Sequence, residues 1–176
     1  MDNVACAFAT LARRVLTQPV MTDHARRAFT ASVYLRRDNL VLLVHHKRFD
    51  QWVPLGGELQ DKWRPPGISW GKQETPLEAA RRELKEESGL GDEDVVFPPS
   101  PFPGAPNGFV YYEEHDGAGK GLHMNFSFVA DTKRGDITLC DEHAEYRWFT
   151  KQEIAMRDNV PPNVRRIVRN VTAVRA

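Results

Sequence analysis

The stretch from Glu74 to Leu90, ETPLEAARRELKEESGL, predicts a helix that carries three glutamates on one face. Glu83, Glu86 and Glu87 stand at positions i, i+3 and i+4, so their carboxylates project from the same side. Like charges at this spacing destabilise an isolated helix by about 0.2–0.5 kcal/mol per pair, and a positive partner is therefore expected. Mg²⁺ binds proteins through a few carboxylates together with substrate phosphates. The alternative is a solvated, salt-bridged surface helix.

The ends of this helix are well marked. Thr75 is a favourable N-cap and Pro76 suits the first helical position. Glu78 follows Thr75 by three residues and completes a capping box. Gly89 is the expected C-terminal stop, so the helix should span residues 76–88. The apolar residues at helical spacing, which should face a core, are Leu77, Ala80 and Leu84.

The same run resembles the Nudix box, G-x5-E-x7-R-E-U-x-E-E-x-G-U, in which U is a bulky aliphatic residue. The position of the opening glycine holds Ile68, whereas VPLGG at Val53–Gly57 resembles the segment that normally leads into the box. Gly57 lies 17 residues before Glu74, where the family spacing is six, which indicates an insertion of 11 residues within 58–73. The matching positions are Glu74, Arg82, Glu83, Leu84, Glu86, Glu87, Gly89 and Leu90.

The resemblance extends beyond the box. Residues 27–57 resemble the opening hairpin of the family, and EYRWFTKQEI at Glu145–Ile154 resembles its late strand and the start of the following helix. Mixed strands with interspersed helices suggest an α/β protein. The resemblance implies a Nudix fold, with a mixed β-sheet sandwiched between helices, over a single domain of residues 1–176.

Hydrophobic periodicity and turn residues predict the remaining elements. Residues 98–108 (PPSPFPGAPNG) are expected to form a long irregular connection. The predicted strands are Phe29–Leu35, Leu40–His46, Phe109–Glu113, Leu122–Ala130 and Glu145–Phe149. The predicted later helices are Gln152–Met156 and Asn163–Val174.

The first 22 residues form an extension to the family-like region. Val4–Leu16 has the apolar spacing of an amphipathic helix, which would serve as a packing element or as part of a homodimer contact. Alternatively, Met21 is the physiological start. The segment begins Met-Asp without a basic region, and Arg13-Arg14 interrupt its apolar run, so a signal peptide is not predicted.

Charge and cysteine content narrow the functional classes. Lys and Arg number 24 and Asp and Glu also number 24, so no general basic field favours long nucleic acid or an anionic membrane. No apolar stretch approaches the roughly 20 residues needed to span a bilayer. Two cysteines, Cys6 and Cys140, do not indicate a disulfide framework, and a reducing cytoplasmic location is expected. The histidines show no zinc-binding spacing with these cysteines.

The family resemblance implies hydrolysis of a diphosphate bond with Mg²⁺ or Mn²⁺ as the cofactor. It assigns Glu83, Glu86 and Glu87 as metal ligands, with the backbone carbonyl of Gly57 as a further ligand. Arg82 is expected to orient these carboxylates by hydrogen bonds, which supports the metal site and hence catalysis. Glu74 is expected to pair with Arg82 or to cap the loop before the helix.

The general base has three alternatives. It must reach the attacking water, and in Nudix enzymes it often comes from a loop outside the box. Glu142, five residues before Arg147, occupies the corresponding position. Glu145 is the second alternative, although strand alternation can direct it elsewhere, and Glu83 is the third.

Substrate contacts are expected in the insertion and after the second predicted strand. Trp63 and Trp70 could stack on a nucleobase, and Arg64 could contact phosphate. Alternatively, these tryptophans anchor a surface loop to the body or to a second subunit. Arg48 is either a phosphate contact or a solvated loop charge.

Two functional classes remain. The first is a metal-dependent pyrophosphohydrolase that acts on a nucleoside diphosphate linked to another moiety. Its candidate substrates are nucleoside diphosphate sugars, ADP-ribose, nucleoside triphosphates, dinucleoside polyphosphates and, more narrowly, capped RNA. The second class is a Nudix-fold module that binds a nucleotide or partner without turnover. Such a module is expected to lack at least one metal-binding glutamate, whereas Glu83, Glu86 and Glu87 are all present.

Overall fold

The computed structural model describes residues 27–60, 74–116 and 121–172. These residues form an α/β structure, in agreement with the predicted class. The strands are β1 (Arg27–Arg37), β2 (Leu40–His46), β3 (Gln51–Val53), β4 (Leu55–Glu58), β5 (Val95–Val96), β6 (Phe109–Asp116), β7 (Leu122–Thr132) and β8 (His143–Thr150). The helices are α1 (Pro76–Ser88), α2 (Lys151–Met156) and α3 (Pro162–Val171).

The strands form one mixed sheet with β1 near its centre. β1 runs parallel to β7, with Arg27 opposite Leu122 at one end of the pairing and Arg36 opposite Asp131 at the other. Along its other edge, β1 is antiparallel to β4 near its start and to β2 near its end. β2 also pairs with β3 and β8, while β7 also pairs with β5 and β6. The short β4 is therefore held in the middle of the sheet, directly beside β1.

Alternating side chains of the central strands fill two separate apolar layers. Val33 and Leu42 face the layer that includes α1, whereas Tyr34 and Val41 face the layer that includes α2 and α3. This alternation follows the two-residue period of strands that are covered on both faces. The sheet is thus sandwiched between helices, as predicted. The buried helix residues of the two layers are Ala79, Ala80 and Leu84 on one side and Ile154, Val164, Ile167, Val168 and Val171 on the other.

Within residues 27–60, 74–116 and 121–172, the predicted elements are confirmed with small shifts of their ends, and three short strands were not predicted. β3 and β4 lie within residues 51–58, for which no separate strand was predicted. β3 pairs with β2, the strand directly before it, whereas β4 pairs with the more distant β1. β5 is only a two-residue pairing with the end of β7.

The predicted helix at Val4–Leu16 and the start at Met21 lie outside the described residues. Most of the insertion, residues 61–73, lies outside them as well. Within the part that is described, no helix is both long enough and apolar enough to cross a bilayer.

Candidate active site

Helix α1 places its acidic residues against the centre of the sheet. The Thr75 side chain accepts a hydrogen bond from the Glu78 backbone N–H, while the Glu78 carboxylate accepts one from the Thr75 N–H. This capping box fixes the start of the helix as predicted. Gly89 ends it in the left-handed region at φ 72°. Between these ends, packing of Leu84 and its apolar neighbours orients the acidic face towards β4.

Glu87 is a buried carboxylate at the centre of the site. Its side chain is 9% exposed, and its Oε2 accepts a 2.7 Å hydrogen bond from the Gly56 backbone N–H. Burial, followed by the charges of Glu83, Glu142 and Glu86, raises the pKa of Glu87 to about 8, and the hydrogen bond from Gly56 only partly opposes this shift. A positive ion at this position would offset both the desolvation and the repulsion.

Glu83 lies against Gly57, the glycine that sequence analysis placed before the insertion. Burial also raises the pKa of Glu83, while the neighbouring Arg82 guanidinium lowers it. A Cβ atom added at Gly57 would collide with the Glu83 carboxylate. The absence of a side chain at Gly57 therefore allows β4 to approach this carboxylate closely.

Arg82 connects the carboxylates of the site. Its Nε and Nη2 donate to the two oxygens of Glu74 at 2.8 and 3.0 Å, which forms a bidentate pair. Its Nη1 donates to Glu83 Oε1 at 2.6 Å and to Glu86 Oε2 at 3.1 Å. Its Nη2 also donates to the backbone carbonyl of Glu58. Arg82 thus holds the helix, β4 and Glu74 together, as expected for a residue that orients the acidic cluster.

Glu74 also fixes the two ends of the segment that contains the insertion. Its Oε2 accepts a 2.8 Å hydrogen bond from the Gln60 backbone N–H. Leu59, in turn, donates its N–H to the carbonyl of Phe29 on β1. The chain therefore leaves the sheet after Gln60 and returns at Glu74 with these two residues in contact.

A cleft of about 760 Å³ opens over the acidic face of α1. Glu83, Glu86 and Glu87 line it together with Gly56 and Gly57. Glu86 is the most accessible of the three carboxylates, with 55% of its side chain exposed, whereas Glu83 is 13% exposed. The cleft thus contains carboxylates that range from buried to exposed.

The two candidate bases outside the helix occupy different positions. Glu142 lies in the turn before β8 and lines the cleft, with its Oε2 3.9 Å from Nε2 of His46. Its charge is close enough to Glu87 to contribute to the raised pKa of that residue. Glu145 is exposed on β8 and lies outside the set of described residues that line the cleft. The geometry therefore brings Glu142, rather than Glu145, to the acidic cluster.

Cys140 and His143 were not singled out in the sequence, yet they lie beside Glu87. His143 Nε2 is 3.6 Å from Glu87 Oε1, and Cys140 Sγ is 3.3 Å from His143 Nδ1. Burial lowers the pKa of His143, so the neutral imidazole is favoured. The sequence showed no recognised metal-binding spacing here, because Glu87 comes from a helix more than 50 residues before Cys140.

A second group of polar residues lines the sheet side of the cleft. Thr30 and Ser32 on β1 both donate their hydroxyls to Asn125 Oδ1 on β7, at 3.0 and 2.9 Å. Asn125 donates its amide to Ser127 at 3.1 Å. Because β1 and β7 are parallel and in register, Thr30, Ser32 and Asn125 converge on one wall of the cleft. Their alternation with apolar residues was the signal available in the sequence.

The predicted substrate contacts are only partly described. Arg48 lies near the cleft, with its guanidinium 5.5 Å from the ring centroid of Phe49, which itself lines the cleft. Trp63, Arg64 and Trp70 lie outside the described residues, so their proposed contacts stay predictions.

The donor set fits Mg²⁺ or Mn²⁺. Carboxylate oxygens are the ligands that these hard ions prefer. Glu83, Glu86 and Glu87 provide such oxygens within one cleft. The single positive charge of Arg82 does not neutralise all three carboxylates, so the cluster keeps a net negative charge. Because burial and like charges raise the pKa of Glu87 to about 8, an additional cation would favour its ionised form at neutral pH.

Replacing Gly57 with alanine should damage function more than stability. The new methyl group would displace the flexible end of Glu83, so we expect apparent Mg²⁺ affinity to fall about tenfold or more, as when groups that orient metal ligands are lost. The free energy of unfolding should change by less than about 1 kcal/mol. Metal titration and urea unfolding would measure the two effects.

Gly56→Ala provides a contrast in stability for this substitution. A Cβ at Gly56 would collide with the backbone of Ala31 on β1, and Gly56 has a φ of 149°. We therefore expect a loss of about 2–4 kcal/mol of stability. Unchanged metal affinity in Gly57→Ala would contradict the proposed dependence of Glu83 on this glycine.

Comparison with known families and structures gives a consistent result. The family model for the NUDIX domain matches residues 26–171. No curated protein matches the chain in sequence.

Solved structures of NUDIX proteins share the fold. A NUDIX family hydrolase from Clostridium perfringens has a TM-score of 0.66 and 22% identity, covering 84% of this chain and 97% of its own. The MutT protein from Methanosarcina mazei Go1 has a TM-score of 0.62 and 17% identity, with coverage of 85% and 96%. A binary complex of the C. elegans Ap4A hydrolase has a TM-score of 0.60 and 17% identity, with coverage of 83% and 96%. At these identities the likeness establishes a common fold.

Proposed function

Because this chain belongs to the NUDIX family and is a hydrolase of pyrophosphate bonds, we propose that it cleaves the diphosphate bond of a nucleoside diphosphate linked to another moiety. We further propose that the reaction depends on Mg²⁺ or Mn²⁺. The observation that carries this proposal is the convergence of Glu83, Glu86 and Glu87 on one cleft, with Arg82 connecting their carboxylates.

The chain's own groups would organise the reaction as follows. Glu83, Glu86 and Glu87 would hold the divalent ion, with the Gly57 carbonyl as the proposed further ligand. When bound, such an ion supplies positive charge that offsets the charge of the diphosphate and polarises the attacking water. Arg82 keeps the carboxylates in position, while its pairing with Glu74 fixes the start of the helix.

Glu142 is the proposed general base. Water would attack one phosphorus atom, and a Glu142 carboxylate oxygen would accept the proton that the water loses. The bridging oxygen would leave with the electron pair of the broken P–O bond. The position of Glu142 at the cleft, close to Glu87, supports this assignment.

Exchanging Glu142 for glutamine should lower kcat about 100- to 10,000-fold, the usual contribution of a general base, with a smaller change in KM. Glu145→Gln is the matched control, because Glu145 is exposed on β8, three residues after Glu142, and lies outside the described lining of the cleft. Steady-state kinetics with saturating metal would compare the two variants. A larger loss of kcat for Glu145→Gln than for Glu142→Gln would refute the assignment. Full activity in both variants would indicate Glu83 as the general base.

The polar wall of the cleft supports a small nucleotide substrate. Thr30, Ser32 and Asn125 offer hydroxyl and amide groups near the acidic cluster, which suits a sugar or base attached to the diphosphate. Arg48, Trp63, Arg64 and Trp70 are proposed as further substrate contacts. A homodimer and a cytoplasmic location also stay predictions.

The test is metal-dependent product release across a nucleotide panel. The panel would contain nucleoside diphosphate sugars, ADP-ribose, nucleoside triphosphates, dinucleoside polyphosphates and a capped RNA, each with and without Mg²⁺ or Mn²⁺. Strong cleavage of one class only with metal would support the proposal and identify that class. Metal binding without turnover of any substrate would favour a nucleotide-binding module instead.

A further inference from the structure

Cys140, His143 and Glu87 form a cluster that the proposed hydrolysis does not need as a unit. Each residue offers one potential ligand atom, and the three atoms lie within 4.8 Å of one another. Glu87 and His143 are buried, whereas Cys140 is half-buried at the edge of the cleft. The cluster thus combines a carboxylate of the acidic face with a thiol and an imidazole.

Local structure holds Cys140 and His143 together. The His143 backbone N–H donates to the Cys140 carbonyl at 3.4 Å, closing a turn that places both side chains on the same side. The His143 ring packs edge-on against His46, with the ring centroids 5.6 Å apart. Its side chain is only 1% exposed, so its orientation is fixed by packing beside Glu87.

The donors are of the kind that binds zinc rather than magnesium. Zinc accepts thiolate, imidazole and carboxylate ligands, whereas magnesium strongly prefers oxygen. Ligand distances of about 2.0–2.3 Å place the donors of a tetrahedral zinc site roughly 3.3–3.8 Å apart. With one ligand atom from each residue, the three donors lie within 4.8 Å of one another, so their side chains must close further around an ion to reach this range. The 3.3 Å contact from Cys140 and the 3.6 Å contact to Glu87 use different imidazole nitrogens of His143, of which only one can bind the ion.

We propose that Cys140, His143 and Glu87 form an inhibitory zinc site on the floor of the cleft. Three protein ligands leave the fourth tetrahedral position for water or a substrate oxygen. Zinc at this site engages Glu87, which the hydrolytic reaction needs for Mg²⁺ or Mn²⁺. The inhibitory part of the inference rests on the proposed function, whereas zinc binding itself does not.

Cobalt(II) and zinc binding would test the site without relying on activity. Thiolate coordination of Co²⁺ produces an intense near-ultraviolet absorption band, which Zn²⁺ abolishes by displacing the cobalt. Cys140→Ser should lose this band and should weaken zinc binding by more than the about 10- to 100-fold typical of losing an outer-shell partner. Cys6→Ser is the matched control, since it removes the other cysteine and retains Cys140.

The expected result is a cobalt–thiolate band in the full-length protein and in Cys6→Ser, but not in Cys140→Ser. A band that persists in Cys140→Ser, or zinc affinity unchanged by that substitution, would overturn the site.

Zinc inhibition would then be measured at fixed Mg²⁺ and normalised to each variant's uninhibited rate. We expect a higher inhibitory zinc concentration for Cys140→Ser than for Cys6→Ser, and equal values would overturn the inhibitory role. If no substrate of the nucleotide panel were cleaved, the proposed function would be refuted, but the cobalt result would still stand.

Discussion

Replacing Glu87 with glutamine is expected to reduce metal-dependent turnover about 100- to 1000-fold, because several kcal/mol of charge stabilisation depend on the metal site. The same change should make the metal-free protein more stable. Glu87 is buried, and its pKa is raised to about 8. A neutral amide of similar shape avoids the cost of an ionised carboxylate at this position and can still accept the Gly56 hydrogen bond.

The stability difference should depend on pH with a defined sign. Because the folded-state pKa of Glu87 lies above the unfolded value, the folded protein binds more protons between about pH 4.5 and 8. The wild-type protein should therefore lose stability relative to Glu87→Gln as pH rises through this range, by on the order of 1 kcal/mol per pH unit at most. Urea unfolding in a chelating buffer from pH 5 to 9 would measure this difference.

Glu86→Gln provides the control, since more than half of the Glu86 side chain is exposed. It should lose turnover without the stability gain seen for Glu87→Gln. A Glu86→Gln/Glu87→Gln double variant that retained full activity would contradict the assignment of these glutamates to the metal site.

Arg82→Ala should be the most destabilising change in the site. Arg82 pairs with Glu74 and Glu83, whose side chains are only 10% and 13% exposed. Removing it leaves these carboxylates without their partner, and breaking such a pair costs about 3–5 kcal/mol. Turnover should also fall, because Glu83 and Glu86 lose the group that orients them. Chemical unfolding and steady-state kinetics would measure both losses.

The neighbouring Arg81 supplies a matched control on the same helix. It pairs with Asp92, and the two side chains are 41% and 68% exposed, so Arg81→Ala should cost less than about 1 kcal/mol. Arg82→Lys should recover only part of the loss, since an ammonium group cannot reproduce the bidentate contact with Glu74. Equal unfolding free energies for Arg81→Ala and Arg82→Ala would show that Arg82 does not stabilise the fold through the acidic cluster.

Local chemistry made the helix and its acidic face predictable. The Thr75–Glu78 capping box and the Gly89 stop depend on residues within one or two turns, so they could be identified without tertiary information. The apolar, strand-favouring residues of β1 and β2, separated by the Arg37-Asp38-Asn39 turn, similarly made these two strands predictable. The Arg82–Glu74 pair was also expected, although the sequence alone could not show that Glu74 contacts Gln60 as well.

Features that depend on distant pairing were not predictable. β4 contains two glycines and is a strand only because β1 provides its hydrogen-bonding partner. The proximity of Cys140 and His143 to Glu87 arises when the turn before β8 meets helix α1, which no spacing within a single segment could indicate. The polar wall formed by Thr30 and Asn125 likewise depends on the parallel register of β1 and β7.

The hydrogen bond between Gln60 and Glu74 makes the geometry of the cleft independent of the number of residues between them. Since this contact holds both ends of the segment, residues can be added or removed there without shifting Gly57 relative to Glu83. The entropy of closing a flexible loop grows only logarithmically, by about 0.6 kcal/mol for each doubling of its length. We therefore expect changes of length or sequence between Gln60 and Glu74 to be tolerated while the acidic cluster stays in place.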